Sequence, residues 1–285
     1  VDNPVKVFEK YRAELGQTFS FHFGGTRPAI VTTDPQFIQQ VLKVKRGNYN
    51  KSDIQIKRMV EFQGKGLVNS HGQDWLRERR LLSNGFRMKK LAASLPMQQL
   101  VLDDLMFQFD KDASKGPIDI HQQMVRCTLR LVGKSILGHS MNYEELDQIG
   151  EAISEIQAFI VRQIVQPYKI PWFKISGQSK HFQNLRVESD KIVQGYIQRR
   201  KCEGVSESEF LHVLLEQPYS DSKQPMSNTQ ALIESLQMMV AGNETSANGL
   251  TWVFYLLGRH PEYIEQIRAE INAVIGEDPI GFENL

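Results

Sequence analysis

Apolar residues recur mostly at helical three-and-four spacing, after a short opening stretch that alternates instead. Thr18-Phe19-Ser20-Phe21-His22-Phe23 alternates polar and apolar residues, Gly24-Gly25 offers a turn, and Ala29-Ile30-Val31 returns as a second strand. Asp34-Pro35 then marks a helix start, with Asp as N-cap and Pro at the first helical position. Phe37, Ile38, Val41 and Leu42 form its apolar face. From Asn48 to Gly72 the pattern is irregular, punctuated by Gly64, Gly66 and Gly72. Ile54, Ile56, Met59, Val60, Phe62, Leu67 and Val68 still recur within it. A loop of that length in a compact domain has a function or hides a short helix.

Beyond Gln73 the spacing predicts successive helices near Gln73–Ser83, Lys90–Lys111, Ile118–Leu137, Glu144–Val165, His181–Lys201 and Glu207–Glu216. Breaks fall at Gly116-Pro117, at Gly138, across Gln166–Gln178 with its two prolines, at Glu203-Gly204 and across Pro218–Pro225. Met226 to Gly258 reads as one helix of roughly 50 Å. Leu232, Leu236, Met239, Val240, Ala247, Leu250, Phe254 and Leu257 keep its spacing, and further apolar residues occupy other faces. Such a helix is expected at the buried centre of a large domain. His260-Pro261 opens another helix with Ile264, Ile267, Ile271 and Val274 on one stripe, and Gly276 is its stop. No break is a low-complexity linker and no repeat has a fixed period. The expectation is one mainly α domain with a small amino-terminal β-hairpin.

Composition narrows the function classes. Of 285 residues 41% are apolar and 24% charged, which is ordinary globular composition. Lys plus Arg number 34 against 33 Asp plus Glu, so charge gives no support for a nucleic-acid or anionic-membrane binder. Cys127 and Cys202 make no disulfide framework and have no zinc-type spacing. A reduced compartment is the default expectation. No apolar run reaches the roughly 18 residues that span a bilayer.

Two constellations carry candidate chemistry. The first is the polar defect Ala241-Gly242-Asn243-Glu244-Thr245-Ser246 in the long apolar helix. Gly242 costs about 1 kcal/mol relative to Ala in a helix interior. Thr245 lies four residues after Ala241, so its hydroxyl can bond back to that carbonyl and bend the helix. One reading is a groove at Gly242, flanked by the Thr245 hydroxyl and the Glu244 carboxylate, that suits a small polar ligand and a proton path. The other is a helix crossing, with Gly242 for close approach and Glu244 at the surface or in an ion pair. The second constellation is His71-Gly72-Gln73-Asp74-Trp75-Leu76-Arg77-Glu78-Arg79-Arg80. Trp75 and Arg79 are i,i+4 neighbours, with His71 one turn earlier. An indole N–H, a guanidinium and an imidazole converging there would bind a carboxylate or phosphate. A core Trp beside a solvated arginine is the alternative.

Together these motifs resemble the cytochrome P-450 haem-thiolate monooxygenases. Ala241 to Ser246 resembles that family's oxygen-activating segment in its central I helix, and Trp75 with Arg79 resembles its C-helix Trp-x-x-x-Arg pair that binds haem propionates. Leu257-Gly258-Arg259-His260-Pro261 resembles the I-to-J junction. The resemblance implies a P-450-like helical domain: hairpin and helix B over 1–47, a B–C loop over 48–72, helices C to J over 73–276, and a tail over 277–285. It implies haem b, O2, and electrons from NAD(P)H delivered by a flavoprotein or iron–sulfur partner. That partner would dock on the basic C-helix side, around Arg77, Arg79, Arg80, Arg87, Lys89 and Lys90. Ala241, Gly242, Glu244 and Thr245 would be the catalytic set, and His71, Trp75 and Arg79 the haem contacts. Ile54, Met59, Phe62, Leu67, Phe159 and Val240 are candidate walls for a small hydrophobic substrate, fatty-acid-like or another lipophile.

The family's K-helix Glu-x-x-Arg and its Phe-x-x-Gly-x-x-x-Cys-x-Gly haem loop are absent from these residues. Cys127 and Cys202 lack that context, so neither is nominated as the iron ligand. The expectation is therefore a monooxygenase piece trimmed at both ends and inactive by itself, whose coding sequence continues past Leu285 with both motifs. A cytoplasmic location is implied, or the cytoplasmic side of a membrane if an anchor precedes Val1. The competing class is a non-enzymatic helical domain that binds a small anion or apolar ligand near Trp75 and Arg79.

Overall fold

The computed structural model describes residues 3–23, 27–138, 140–276 and 280–284. It opens with a helix the alternation did not predict, α1 (Pro4–Leu15), capped by Asn3, whose Oδ1 accepts the Val5 N–H at 3.0 Å. Phe8 of α1 packs on Phe19 and Phe21 of strand β1 (Thr18–Phe23). Strand β2 (Arg27–Thr32) pairs antiparallel with it, Phe19 opposite Val31, and extends beyond the predicted Ala29–Val31. The predicted Gly24-Gly25 turn lies outside the described residues. Helix α2 (Pro35–Gln39) starts as expected, with Asp34 Oδ1 accepting the Gln36 N–H at 2.8 Å.

The irregular 48–72 stretch does contain a helix, α3 (Asp53–Gln63). There follow α4 (Gly72–Leu82), α5 (Met88–Ala113), α6 (Ile120–Leu137) and α7 (Tyr143–Val165). The proline-bearing break holds α8 (Ile170–Ile175). Then come α9 (Gln178–Glu203), α10 (Phe210–Leu215), α11 (Asn228–Arg259) and α12 (Pro261–Val274). Helix makes up 76% of the structure, so the mainly α fold with a small two-stranded sheet stands.

The main core lies among α6, α7, α9, α10 and the first half of α11. Leu137, Leu146, Ile149, Ile197, Leu211 and Met239 are among its largest fully buried side chains. A second core is aromatic: Phe62, Phe159, Phe173 and Phe182 pack between α3, α7, α8 and α9.

The expectation that α11 is buried along its length is corrected. Its buried residues end at Ala247, while Trp252 is 63% exposed and Leu250 and Phe254 are exposed too. The reason is where its neighbour starts. α6 runs antiparallel to α11, with Thr128 opposite Asn243 and His121 opposite Asn248, and α6 begins at Ile120. Past Asn248, α11 has outrun it. The α12 stripe is likewise uncovered, with Ile267, Ile271 and Val274 exposed. No helix among the described residues is long and apolar enough to cross a membrane.

Candidate functional site

The crossing of α6 and α11 is built around Gly242. A Cβ there would lie 3.0 Å from Val132 Cγ2 and 3.1 Å from Cγ1, closer than ordinary packing, so the glycine lets the helices approach. One residue on, Asn243 is buried, and Thr128 Oγ1 donates to its Oδ1 at 2.6 Å. Thr245 makes the expected back-bond, its hydroxyl donating to the Ala241 carbonyl at 2.8 Å. Glu244 is exposed, so the carboxylate of this segment is not the buried polar group. The buried one is Asn243, which shares a helix face with Met239 and Ala247.

Ala241 and Gly242 also line a cavity of about 720 Å³ between α4, α5, α6, α10 and α11. Its apolar wall includes Leu67, Met97, Leu131, Val132 and Met238, and its cationic groups are Arg79, Lys90 and Lys134. Burial pushes the pKa of both lysines down. Arg79 thus reaches the same chamber as the α11 segment, more than 160 residues away in sequence.

Of the three donors predicted to converge, Arg79 lines this cavity and the other two do not. Trp75 is half-buried and lies under the Arg46 guanidinium, 5.3 Å from its ring centre, outside the cavity wall. His71 is an exposed residue at the start of α4, also outside it. Among the candidate substrate walls Leu67 lines the large cavity. Phe62 and Val240 line a separate cavity of about 30 Å³, room for about one water. Phe159 is sealed in the aromatic core, stacked on Phe182 at 4.2 Å and edge-on to Phe62 at 5.3 Å. The Ile54 side chain lies outside the described residues.

Sequence reasoning missed a polar stripe on α11 formed by Gln230, Glu234 and Gln237, about three turns to one turn before Ala241. Glu234 is 0% exposed and its two carboxylate oxygens accept the Leu67 N–H at 3.1 and 3.2 Å. Gln230 Nε2 donates to Glu234 Oε1 at 2.8 Å and to Glu78 Oε1 at 3.3 Å. Burial pushes the Glu234 pKa from 4.5 up to about 7, against the pull of the Leu67 and Gln230 hydrogen bonds, and the nearby Glu78 carboxylate adds to the rise. The signal available in the sequence was three polar residues at i, i+4 and i+7 inside an apolar helix.

A pH dependence follows. Glu234 stays protonated in the native state over a range where the unfolded chain has released that proton, so stability falls as pH rises from about 4.5 to about 7. The contribution is roughly 3 kcal/mol, and Glu234→Gln should remove it. Denaturant melts at pH 5 and 7.5 check this; an equally steep loss in the variant would assign the effect elsewhere. Glu78 and Asp190, both shifted up by burial, act in the same direction and leave a residual slope.

The family model for Cytochrome P450 matches residues 1–284. The chain belongs to the cytochrome P450 family. It is 26% identical over 282 residues to cytochrome P450 CYP72A616 of Paris polyphylla, covering 94% of this chain and 53% of that protein. It is 25% identical over 261 residues to pentalenene oxygenase of Streptomyces avermitilis, with 92% and 57% covered. Human cytochrome P450 4F11 matches at 25% over 299 residues, with 98% and 57% covered. The chain spans about half the length of the curated relatives it matches.

P450 haem iron is held by a cysteine thiolate. Neither cysteine of this chain lines the cavity. Cys127 packs against Leu105, Met124 and Ala247, and burial pushes its thiol pKa up. Cys202 is exposed near the end of α9. Among the described residues no group of three or more His, Cys, Asp or Glu could hold a metal ion. Of the cavity's cations, Arg79 can meet the anionic edge of a haem, while Lys90 is held by the Glu207 and Glu209 carbonyls and Lys134 lies over the Tyr143 ring. The cavity thus fits one side of a haem, and these residues offer no axial thiolate.

Proposed function

We propose that this P450 chain supplies the oxygen-activating and propionate-binding side of a haem-dependent monooxygenase. The reaction would insert one atom of O2 into a small hydrophobic substrate, fatty-acid-like or another lipophile. The observation that carries this reading is that Arg79, Leu67, Ala241 and Gly242 line one cavity. A thiolate-ligated haem, when bound, supplies the O–O cleavage chemistry.

The residues of this chain have the remaining tasks. Arg79 pairs with a propionate, and Leu67, Met97, Leu131 and Val132 hold an apolar molecule and exclude water. The Thr245 hydroxyl has committed its proton to the Ala241 carbonyl, which leaves its oxygen free to accept from a water. Glu244, exposed beside it, can exchange protons with solvent. Phe159 has no place in this account, because its ring is enclosed by other rings.

Haem b, NAD(P)H-derived electrons and a flavoprotein or iron–sulfur donor complete the proposal. The donor's acidic face would meet Arg80, Arg87 and Lys89, which are exposed. Arg77 is held instead by Asp221, at 3.2 Å, and lies over the Tyr219 ring. A cytoplasmic or cytoplasm-facing location belongs to the same proposal.

The test is haem content of the full-length protein and its Arg79→Ala variant, by absorbance and thermal melting. Losing a charge-assisted hydrogen bond costs about 1.5–3 kcal/mol, so the variant should retain less haem and melt lower. Unchanged haem content would remove Arg79 from the site. A full-length protein with no haem absorbance would replace the monooxygenase with a ligand-binding helical domain.

A further inference from the structure

The turn over residues 64–70, between α3 and α4, closes on itself through Gly66 and Asn69. The Asn69 and Ser70 N–H groups donate to the Gly66 carbonyl and the Gly66 N–H to Asn69 Oδ1, and α11 side chains take up further backbone groups. Glu234 accepts the Leu67 N–H, and Gln237 Oε1 accepts the Val68 N–H at 3.0 Å. Gln237 Nε2 donates to the Gly64 carbonyl at 3.1 Å, and Gln230 Nε2 to the Lys65 carbonyl at 3.0 Å. From the other side Lys51 Nζ donates to the Leu67 and Val68 carbonyls at 3.2 and 2.7 Å. The approach is tight at Gly66, where a Cβ would lie 2.8 Å from Gln237 Oε1 and 3.0 Å from Glu234 Oε1.

Leu67, Val68, Glu234 and Gln237 all line the large cavity that Ala241 and Gly242 line. A buried carboxylate with no cation bonded to it opposes folding, and an apolar residue would pack there without that penalty. What an apolar residue cannot do is fix the Leu67 amide. We propose that Glu234, together with Gln237, is a positioning residue that locks the 64–70 turn as one wall of the cavity and thereby sets how tightly the cavity holds its occupant. The groups around Glu234 are consistent with a hydrogen-bonding rather than an ion-pairing role. Glu78 of α4 is bound by Ser70 Oγ at 2.7 Å, Gln230 is neutral, and the Tyr219 phenol is held protonated, its pKa pushed by burial up to about 12.

In its effect on haem the inference rests on the function proposed above; in its effect on the turn it does not. The experiment uses full-length protein with Glu234→Ala, Glu234→Gln and Gln237→Ala, and two readouts. These are hydrogen exchange at the Leu67 and Val68 amides, and the rate of haem transfer to excess apomyoglobin. Losing the carboxylate acceptor should speed Leu67 exchange and haem loss by about tenfold or more in Glu234→Ala. Glu234→Gln, whose amide oxygen still accepts the Leu67 N–H, should stay near wild type in both. Gln237→Ala should speed Val68 more than Leu67, and it tests the lock even if Glu234→Ala does not fold. Wild-type exchange at both amides in the variants overturns the proposal. So does equal damage in Glu234→Ala and Glu234→Gln with exchange accelerated throughout α11, which would make Glu234 an ordinary core residue. Absence of haem from the wild-type protein overturns the proposed function alone, and the exchange readout still decides the lock.

Discussion

Phe159→Ala should destabilise the protein by about 3–5 kcal/mol and leave binding in the large cavity unchanged. The ring of Phe159 is fully enclosed, with Phe182 stacked on it and Phe62 and Phe173 each edge-on at 5.3 Å. Aromatic pairs of this geometry add about 0.5–1.5 kcal/mol to the burial itself, and the Arg162 guanidinium lies 5.4 Å from the ring centre. Truncation would open a void between four elements that are already anchored to one another, so collapse around it should be incomplete. Denaturant unfolding of wild type and variant gives the stability change. Haem retention and the affinity for a lipophilic ligand, measured on the same samples, separate core from pocket. A variant of near-normal stability whose ligand affinity falls would return Phe159 to the substrate wall.

The same residue shows where sequence reading reaches its limit. Phe159 sits in a helix whose spacing is plain, and α7 is found within a residue of its predicted start. Periodicity identifies which face is apolar, but a cavity wall and a sealed core share that face. The Ala241–Thr245 segment was legible as a motif because a glycine and three polar residues interrupt an apolar helix. Its burial stays open in the sequence between a groove and a helix crossing, because the helix phase decides it; the structure has the crossing, with Gly242 against Val132 and Glu244 exposed. Asn243 shares a face with the buried Met239 and Ala247, while Glu244 is rotated about 100° away. Elements with weak patterns escaped. α1 buries none of its residues, so selection for apolar periodicity is slight there. α8 carries Pro171 in its first turn, where a missing N–H costs nothing, yet two prolines read as a break. The Glu234 lock was invisible because its partner is a backbone amide 167 residues away, and no pattern in side chains records that.

On the function proposed above, Thr245→Ala should divert reducing equivalents from product to hydrogen peroxide in the full-length P450. Its hydroxyl donates to the Ala241 carbonyl at 2.8 Å, and Ala241 is part of the cavity wall. The hydroxyl oxygen is then fixed as an acceptor one turn beyond that wall, exposed and able to hold a water. Alanine removes the acceptor and frees the carbonyl, so on that reading protons arrive at the wrong place or time, while the apolar cavity wall is untouched. Positioned proton transfer contributes about 10²–10⁴-fold to rate, so the loss of coupling should be large and the change in substrate affinity small. Product formed per NAD(P)H consumed, with peroxide assayed in parallel, measures it. Equal coupling in wild type and variant would leave Thr245 as a residue that only bends α11. Glu244→Gln separates the carboxylate from the hydroxyl, since it keeps the shape and removes the charge. Glu244 is exposed, so the substitution should spare folding and haem content and slow turnover if the carboxylate ferries protons from solvent. Lost haem in that variant would instead make Glu244 a structural contact of the complete protein.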